Sequence, residues 1–244
     1  MRTRDAVIYG LALVISTTIL GHYFYHSKVR RDTIDVLGSA TRRYNSDIVK
    51  WNVTVSRIIE ENDMKSGYAL IQKDLNYILA YLKSDGFTDQ EITIKPIAIE
   101  ERKVPIPMGK YDTVQQYRHQ GYIFRQQFFV ISKNIPKVEK LALNSSFIIE
   151  KGIILDCSNL DYYFSTLPDI KRELVAEATK DADARAKSIA KTAHVSINRL
   201  IRADTGTFQI NEPYANEVSY GGTFNTSTRE KDISITLNAT YTLK

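Results

Sequence analysis

The sequence predicts an α+β fold: two βαββ-like halves with helices packed on mainly antiparallel sheets, preceded by an N-terminal transmembrane helix. Three observations support this prediction. The N-terminal segment is apolar and uncharged, several later segments alternate apolar and polar side chains, and two segments carry apolar residues at helical spacing. Hydrophobic residues make up 43% of the chain and charged residues 25%, so the protein can bury a core.

The N-terminal segment predicts a membrane anchor. Residues 6–27 contain no Asp, Glu, Lys or Arg, and about twenty such residues cross a hydrocarbon layer as a helix. The aromatic run 23–25 stands where interfacial aromatics are common. A cleaved signal peptide is the alternative, but it normally has a shorter apolar region and a small-residue cleavage site. We therefore expect residues 1–27 to stay attached and to bind the cytoplasmic membrane through residues 6–27.

The charges that flank the anchor leave its orientation open. Lys28, Arg30 and Arg31 outnumber Arg2 and Arg4, which favours a cytoplasmic C-terminus by the positive-inside rule. Large domains, however, are exported largely regardless of such charges. We expect a single-pass protein of the bacterial inner membrane with its C-terminal domain in the periplasm.

The first half, about 46–131, begins with a clear strand. Residues 47–61 alternate, and their apolar members are Val49, Trp51, Val53 and Val55. The preceding stretch 33–44 predicts a weaker strand. Residues 63–86 change to helical spacing, with Asp63 placed to cap the start and Gly86 the end. The apolar stripe of this helix is Met64, Tyr68, Ile71, Leu75, Ile78 and Leu82.

The first half closes with two strands. Residues 91–101 alternate again, and Pro96 places this strand at an edge or a bulge. The prolines and glycine of 104–110 predict a loop, and 121–132 predict another strand. A short helix over 135–148, with Pro136 in its first turn, leads to the second half.

The second half, about 153–242, repeats the order strand, helix, strand, strand. Residues 151–165 predict its first strand. The helix that follows carries alanines at every fourth position and charges on the opposite face, which indicates close packing of small side chains on a sheet. Its apolar stripe is Ile170, Leu174, Ala178, Ala182, Ala186 and Ala190, widened by Val175, Ile189 and Ala193. Strands are predicted over 199–210 and 232–243, with a polar loop over 211–228 between them.

Three stretches of the domain at 33–243 resemble the SIMPL-domain family, which includes bacterial periplasmic immunogen-like proteins. They are the helix end, glycine turn and strand of 78–99, the Gly-Tyr strand of 120–134 and the Ala-rich helix of 174–195. The sequence "HVSIN" after that helix departs from the family, which often has glycines there. The resemblance implies an exported protein that self-assembles, with a suggested role in envelope stress and with no catalytic residues to carry over.

The sequence shows no pattern of a catalytic, metal or cofactor site. It contains no H-E-x-x-H, C-x-x-C, G-x-S-x-G or P-loop. His22 and His26 are one helical turn apart, but two ligands at the end of a membrane span do not make a metal site. The single cysteine, Cys157, lies among apolar residues and is expected to be buried and inert. We therefore expect no enzyme activity and no cofactor.

Two loops carry aromatic residues that suit a protein contact surface. Tyr111 and Tyr117 lie in the first loop, and Tyr214, Tyr220 and Phe224 lie in the second. A flexible hairpin tip is the alternative interpretation of each loop.

Two hypotheses for function remain. The net charge of +5 is spread among acidic residues, so a nucleic-acid partner is not expected. The first hypothesis is a membrane-anchored, non-catalytic envelope protein that forms homo-oligomers or acts as a scaffold. The second is an enzyme or small-ligand binder that uses a cleft between the two halves.

Overall fold

The computed structural model describes residues 3–28, 32–60, 63–107, 115–215 and 217–244. The first element is helix α1, Thr3–Lys28, in which the window Val7–Phe24 has a mean hydropathy of 1.6 and no buried residue. A helix of 26 residues is about 39 Å long, which exceeds the hydrocarbon thickness of about 30 Å. By length and composition, α1 is therefore able to cross a membrane.

The rest of the described chain alternates strands and helices. In chain order these elements are β1 (Thr33–Asn45), β2 (Ile48–Ile59), α2 (Met64–Ser84), β3 (Ile92–Ile94), β4 (Ala98–Pro105), β5 (Tyr117–Ser132), α3 (Ile135–Leu143), α4 (Ser146–Ile149), β6 (Ile154–Tyr163), α5 (Leu167–Thr192), β7 (Ile197–Thr205), β8 (Gln209–Asn211), β9 (Thr223–Phe224) and β10 (Glu230–Leu243).

The strands form two five-stranded sheets. The first has the order β3-β5-β2-β6, and β4 also pairs with β5. All four of these strand pairs are antiparallel. The second has the order β1-β10-β8-β9, and β7 also pairs with β10. β10 pairs antiparallel with β7 and with β8, and the short strand β9 pairs parallel with β8. The predicted α+β class with mainly antiparallel sheets is confirmed.

The core of the first sheet follows from the alternation of β2. The four apolar side chains of its alternating pattern, Val49, Trp51, Val53 and Val55, are completely buried and pack with side chains from β5. The Trp51 ring meets the Phe128 ring edge to face, with centroids 6.1 Å apart. Trp51 also donates from Nε1 to Ser158 Oγ on β6 at 2.8 Å, so the indole N–H is satisfied inside the core.

Helix α2 covers this core. The Asp63 carboxylate accepts a hydrogen bond from the Ser66 N–H at 3.0 Å, and Gly86 follows the helix with a φ of 85°. The predicted stripe is buried from the second turn onward, but Met64 and Tyr68 are 45% and 50% exposed, so the prediction is wrong for these two. In the first turn of α2 the buried residue is Gly67, where a Cβ atom would come within 2.3 Å of the Phe124 ring.

Two predicted single strands are each divided. The strand expected over 91–101 is two strands, β3 and β4, separated at Pro96, which has no N–H to donate to a ladder. β4 continues to Pro105, into the stretch expected to be a loop. The strand expected over 199–210 is β7 and β8, separated near Gly206, where a Cβ atom would lie 2.7 Å from Thr236 Oγ1.

The short helix expected over 135–148 is also two helices, α3 and α4. Asn134 caps α3 by accepting from the Lys137 N–H at 3.3 Å, and Pro136 lies in the first turn as predicted. α3 ends at Leu143, and Ser145 stands before α4. Val138, Leu141, Phe147 and Ile148 add their side chains to the core of the first sheet.

Helix α5 packs very closely on β1. The stripe from Leu174 to Ala190 is buried as predicted, with Ala178, Ala182 and Ala186 fully covered. A Cβ atom at Gly38 of β1 would lie 2.2 Å from the carbonyl oxygen of Ala178. The glycine and the alanines therefore allow the helix backbone to approach the strand backbone.

The stripe on α5 is narrower than predicted. Ile189 is 49% exposed and Ala193 is exposed, so they do not belong to the buried face. Ile189 lies about 100° around the helix from Ala190, which turns it away from β1.

Strand pairing connects the predicted halves. β6, expected to begin the second half, pairs with β2 in the first sheet. β1, expected before the first half, lies next to β10 in the second sheet. The chain accordingly forms two compact units: Met1–Ala40, Glu173–Thr207 and Ile235–Lys244 make up the first unit, and Thr41–Arg172 and Phe208–Ser234 make up the second.

Candidate functional site

The loop between β8 and β9 has a backbone fixed by side chains from β8. Gln209, 7% exposed, donates from Nε2 to the Ser219 carbonyl at 2.8 Å and accepts from the Ser219 N–H at 3.2 Å. Asn211 donates from Nδ2 to the Glu217 carbonyl at 2.7 Å. Because these amide groups bind backbone atoms on the far side of the loop, the loop has a defined conformation.

Tyr214 is held by an ion pair between β1 and β10. Arg43 donates from Nε and Nη2 to the two carboxylate oxygens of Asp232, at 2.8 and 2.9 Å. The Arg43 guanidinium lies 4.5 Å from the centroid of the Tyr214 ring, and the Tyr214 N–H contacts Asp232 Oδ2 at 3.4 Å. The hydrogen bond from Arg43 lowers the pKa of the Asp232 carboxyl, which keeps this pair charged.

The backbone of Tyr214 is itself unusual. Its φ is 66°, in the left-handed region that costs a bulky side chain free energy. Such strain persists only where neighbouring groups hold the residue in place, and at functional sites it often fixes a side chain in advance. Here the Arg43–Asp232 pair supplies that support.

The loop presents four apolar side chains to solvent. Tyr214 is 86% exposed, Val218 83% and Phe224 54%, and Tyr220 is fully exposed. We call these four residues the aromatic-loop patch. Three of them were predicted from the sequence; Val218 was missed because a single valine in a polar stretch gives no periodic signal. Phe224 lies in the short strand β9, so its expected loop position is wrong.

A polar pocket of about 440 Å³ lies beside the patch. Its wall includes the carboxylates of Glu212 and Glu217 and the side chains of Asn211, Thr223 and Asn225. Asn211 Oδ1 accepts from the Thr223 hydroxyl at 2.5 Å, so part of this wall is already hydrogen-bonded within the protein. Phe224 belongs both to the patch and to the wall of this pocket, so the two surfaces adjoin.

The other predicted interaction loop has a different structure. Tyr111 lies outside the described residues. Tyr117 is the first residue of β5, where it pairs with Pro105 of β4, so the prediction that it lies in a loop is wrong. It is 61% exposed. The strand was predicted only from Gly121 onward, and residues 117–120 were missed because Gly121 interrupts the pattern: its φ is 93°, and a Cβ atom there would lie 1.8 Å from the Ile59 carbonyl oxygen.

A buried lysine that the sequence analysis missed lies at the start of β10. Lys231 is 1% exposed, donates a hydrogen bond to the Tyr162 carbonyl and stands 5.4 Å from the centroid of the Phe164 ring. Burial lowers the pKa of Lys231 to about 8, and the nearby Asp161 carboxylate opposes this shift. A lowered pKa can mark a catalytic lysine, but Lys231 is not among the residues that line the polar pocket beside the patch.

The remaining candidate ligands are dispersed. His119 contacts Glu101 Oε1 at 2.8 Å and packs edge to face on Tyr122. The side chain of His26 lies outside the described residues. Cys157 is half-buried, so the prediction of a fully buried thiol is wrong, and the Asn159 side chain contacts its sulfur at 3.2 Å. Among the described residues, no three His, Cys, Asp or Glu side chains form a group suited to a metal ion.

The architecture defines an α+β protein with two mainly antiparallel sheets and an N-terminal helix able to cross a membrane. The model of the SIMPL family, described as a protein of unknown function (DUF541), matches residues 34–241. Because this match covers most of the chain, the protein belongs to the SIMPL family, and the resemblance seen in the sequence is confirmed. No match was found among curated proteins.

Proposed function

We propose that this SIMPL protein is an uncleaved, single-pass protein of the bacterial inner membrane whose periplasmic domain works by self-association, as a non-catalytic scaffold of the cell envelope. The apolar helix α1 supports the anchor. The family membership supports an exported domain, and the suggested role in envelope stress rests on that resemblance alone.

The observation that carries self-association is the aromatic-loop patch. Tyrosine and phenylalanine are enriched where proteins meet, and tyrosine is among the residues that contribute most of the binding energy there. Side chains fixed before binding lose less conformational entropy in a complex. The contacts of Gln209, Asn211 and the Arg43–Asp232 pair fix this loop in the free protein. A second copy of the chain is the partner because the family resemblance implies self-assembly.

Contacts between identical copies are most often isologous, so each copy uses the same surface. The patch suits such a contact because the Tyr and Phe rings can stack across a two-fold axis. We therefore expect the loops of two copies to meet near residue Tyr220.

A cysteine cross-linking experiment in intact cells tests location and contact together. In a Cys157→Ser background, Tyr220→Cys places a thiol at a fully exposed position of the patch. Leu143→Cys is the matched control, because Leu143 is 82% exposed at the end of α3, in the same unit. We expect a membrane-impermeant maleimide to label both variants. A short, impermeant bis-maleimide should produce dimers from Tyr220→Cys alone.

This experiment separates an error in the proposed location from an error in the proposed contact. If neither thiol is labelled until the cells are opened, the domain faces the cytoplasm and the proposed location is wrong. If both are labelled but Tyr220→Cys gives no more dimer than Leu143→Cys, the proposed contact is wrong.

A further inference from the structure

A short connection holds one end of the first unit near the end of α1. α1 ends at Lys28 and β1 begins at Thr33. Five residue steps span at most about 18 Å, even when fully extended. If α1 lies in a bilayer, the start of β1 therefore lies within about 18 Å of the point where the helix ends.

Backbone hydrogen bonds bring three other chain segments to the start of β1. The Leu243 N–H donates to the Asp32 carbonyl at 2.8 Å, which places the end of β10 there. Ser196 and Lys244 exchange backbone hydrogen bonds at 3.3 and 2.7 Å, which adds the start of β7. The turn that closes α5 leads directly into Ser196, because the Val195 N–H donates to the Ala190 carbonyl at 3.0 Å.

This end of the first unit is basic. Lys191, Arg199 and Lys244 are exposed there. Among the described residues, the acidic side chains at the same end are those of Asp32 and Asp35, and Asp35 already accepts a hydrogen bond from the Thr240 hydroxyl. The acids of α5 lie farther from its end: Asp183 is paired with Lys187 at 2.6 Å, and Asp181 with Arg185 at 2.8 Å.

The turn at this end exposes an apolar side chain between the basic residues. His194 has a φ of 57°, so the chain reverses there in the left-handed conformation that glycine favours. Val195, which follows it, is 38% exposed. Basic residues around an exposed aliphatic side chain suit the headgroup region of a bilayer with anionic lipids.

We propose that this end of the first unit, formed by Lys191, Val195, Arg199 and Lys244, binds the anionic headgroups of the membrane that holds α1. The proposal rests on the proposed function in one respect, namely that α1 is a retained membrane anchor. The short connection keeps the surface near the headgroups at all times, so even a few basic residues experience a high local concentration of lipid phosphate.

The test uses the full chain in lipid vesicles. A fluorophore is attached to Ser196→Cys in the Cys157→Ser background, and quenching by a lipid with a spin-labelled headgroup is measured. Phosphatidylcholine vesicles are compared with vesicles that contain about 30% phosphatidylglycerol. We expect at least a twofold increase in quenching with the anionic lipid, and we expect about 0.5 M salt to reverse it, because salt screens the attraction.

Charge reversal identifies the residues responsible. Lys191→Glu combined with Arg199→Glu should return quenching in anionic vesicles to the level of phosphatidylcholine. Lys180→Glu is the matched control: Lys180 is exposed on the same helix, eleven residues or about 16 Å before Lys191, and its reversal should leave quenching unchanged.

Alkaline carbonate extraction of the vesicles distinguishes a failure of the membrane anchor from a failure of headgroup binding. A chain that washes off overturns both the anchor and this proposal. A chain that stays in the membrane, with quenching independent of anionic lipid or of the two charge reversals, overturns this proposal alone.

Discussion

At the scale of single residues, Tyr214 and Lys231 stand in unusual environments, because the backbone of Tyr214 is strained and the charged side chain of Lys231 is buried. Tyr214 takes a left-handed backbone conformation and stays exposed because Arg43 and Asp232 hold it. Lys231 is buried in a row of apolar residues and bonds to a backbone carbonyl. We propose that the first arrangement prepares a surface for contact. The second lowers the stability of the fold at neutral pH.

The cost of burying Lys231 predicts a pH-dependent stability difference. Burial lowers the pKa of Lys231 to about 8 in the folded protein, whereas in the unfolded chain it lies near its ordinary value of 10.5. Below pH 8 both states are protonated, and the folded state bears the full cost. As the pH rises from 8 towards 10.5, the folded state releases the proton first, so wild-type stability rises relative to a variant without the amine.

We expect Lys231→Met to be more stable than wild type at pH 7, by up to about 3 kcal/mol, since each pKa unit corresponds to about 1.4 kcal/mol. At pH 10 this advantage should fall below about 1 kcal/mol. Urea unfolding of residues 28–244 at both pH values measures the difference. Ile235→Met, on the same buried row, is the control, and its effect should not depend on pH. A wild type more stable than Lys231→Met at pH 7 would contradict the account.

Some of these residues could be predicted from the sequence. The alternation that identifies β10 extends back to Lys231, so the same pattern that buries Ile233 and Ile235 could have indicated a buried lysine. The positions of Tyr214 and Tyr220 on a loop were predicted from the polar stretch around them. The ion pair that holds Tyr214 could not be predicted, because Arg43 and Asp232 are 189 residues apart in the chain.

At the scale of elements, periodicity predicts the strands and helices well and their interruptions less well. β2, α2, α5 and β10 were predicted because each has a buried row of apolar side chains. The divisions at Pro96 and Gly206 depend on how a neighbouring strand approaches the backbone, which the local pattern does not contain. The same holds for Gly38, whose importance depends on a helix more than a hundred residues away.

The close contact of α5 with β1 predicts a large cost for a small change. Gly38→Ala places a methyl group against the backbone of Ala178 and Ala182, at 2.2 and 2.7 Å, so the helix must move away from the sheet. We expect a loss of about 3 kcal/mol of unfolding free energy, and a loss of about 1–3 kcal/mol for Ala182→Leu.

Thermal unfolding of residues 28–244 checks this prediction. Gly221→Ala is the matched control, since a Cβ atom at Gly221 has no neighbour within 4 Å, and its effect should stay within about 0.5 kcal/mol. If Gly38→Ala unfolds at the temperature of Gly221→Ala, the helix does not lie on β1 as described.

At the scale of the whole molecule, strand pairing does not follow chain order. β6 pairs with β2 across about a hundred residues, and β1 lies next to β10 at the other end of the domain. Alternation shows which face of a strand is buried but not which strand lies beside it, so this pairing could not be predicted from the sequence. The α+β class and the N-terminal helix could be, because they depend on local patterns alone.

We propose that the protein is a tethered domain that works by contact between copies. Membership of the SIMPL family and the apolar helix α1 establish its setting only in outline. The proposed contact rests on the exposed side chains of the aromatic-loop patch.

The molar mass of residues 28–244, measured by light scattering over a range of concentrations, tests this claim most directly. We expect a mass that is a multiple of the single chain, and a return to the single-chain mass when Tyr214→Ser and Tyr220→Ser are combined. A wild-type segment that remains a single chain at the highest concentration, or an assembly unchanged by the two substitutions, would contradict the account.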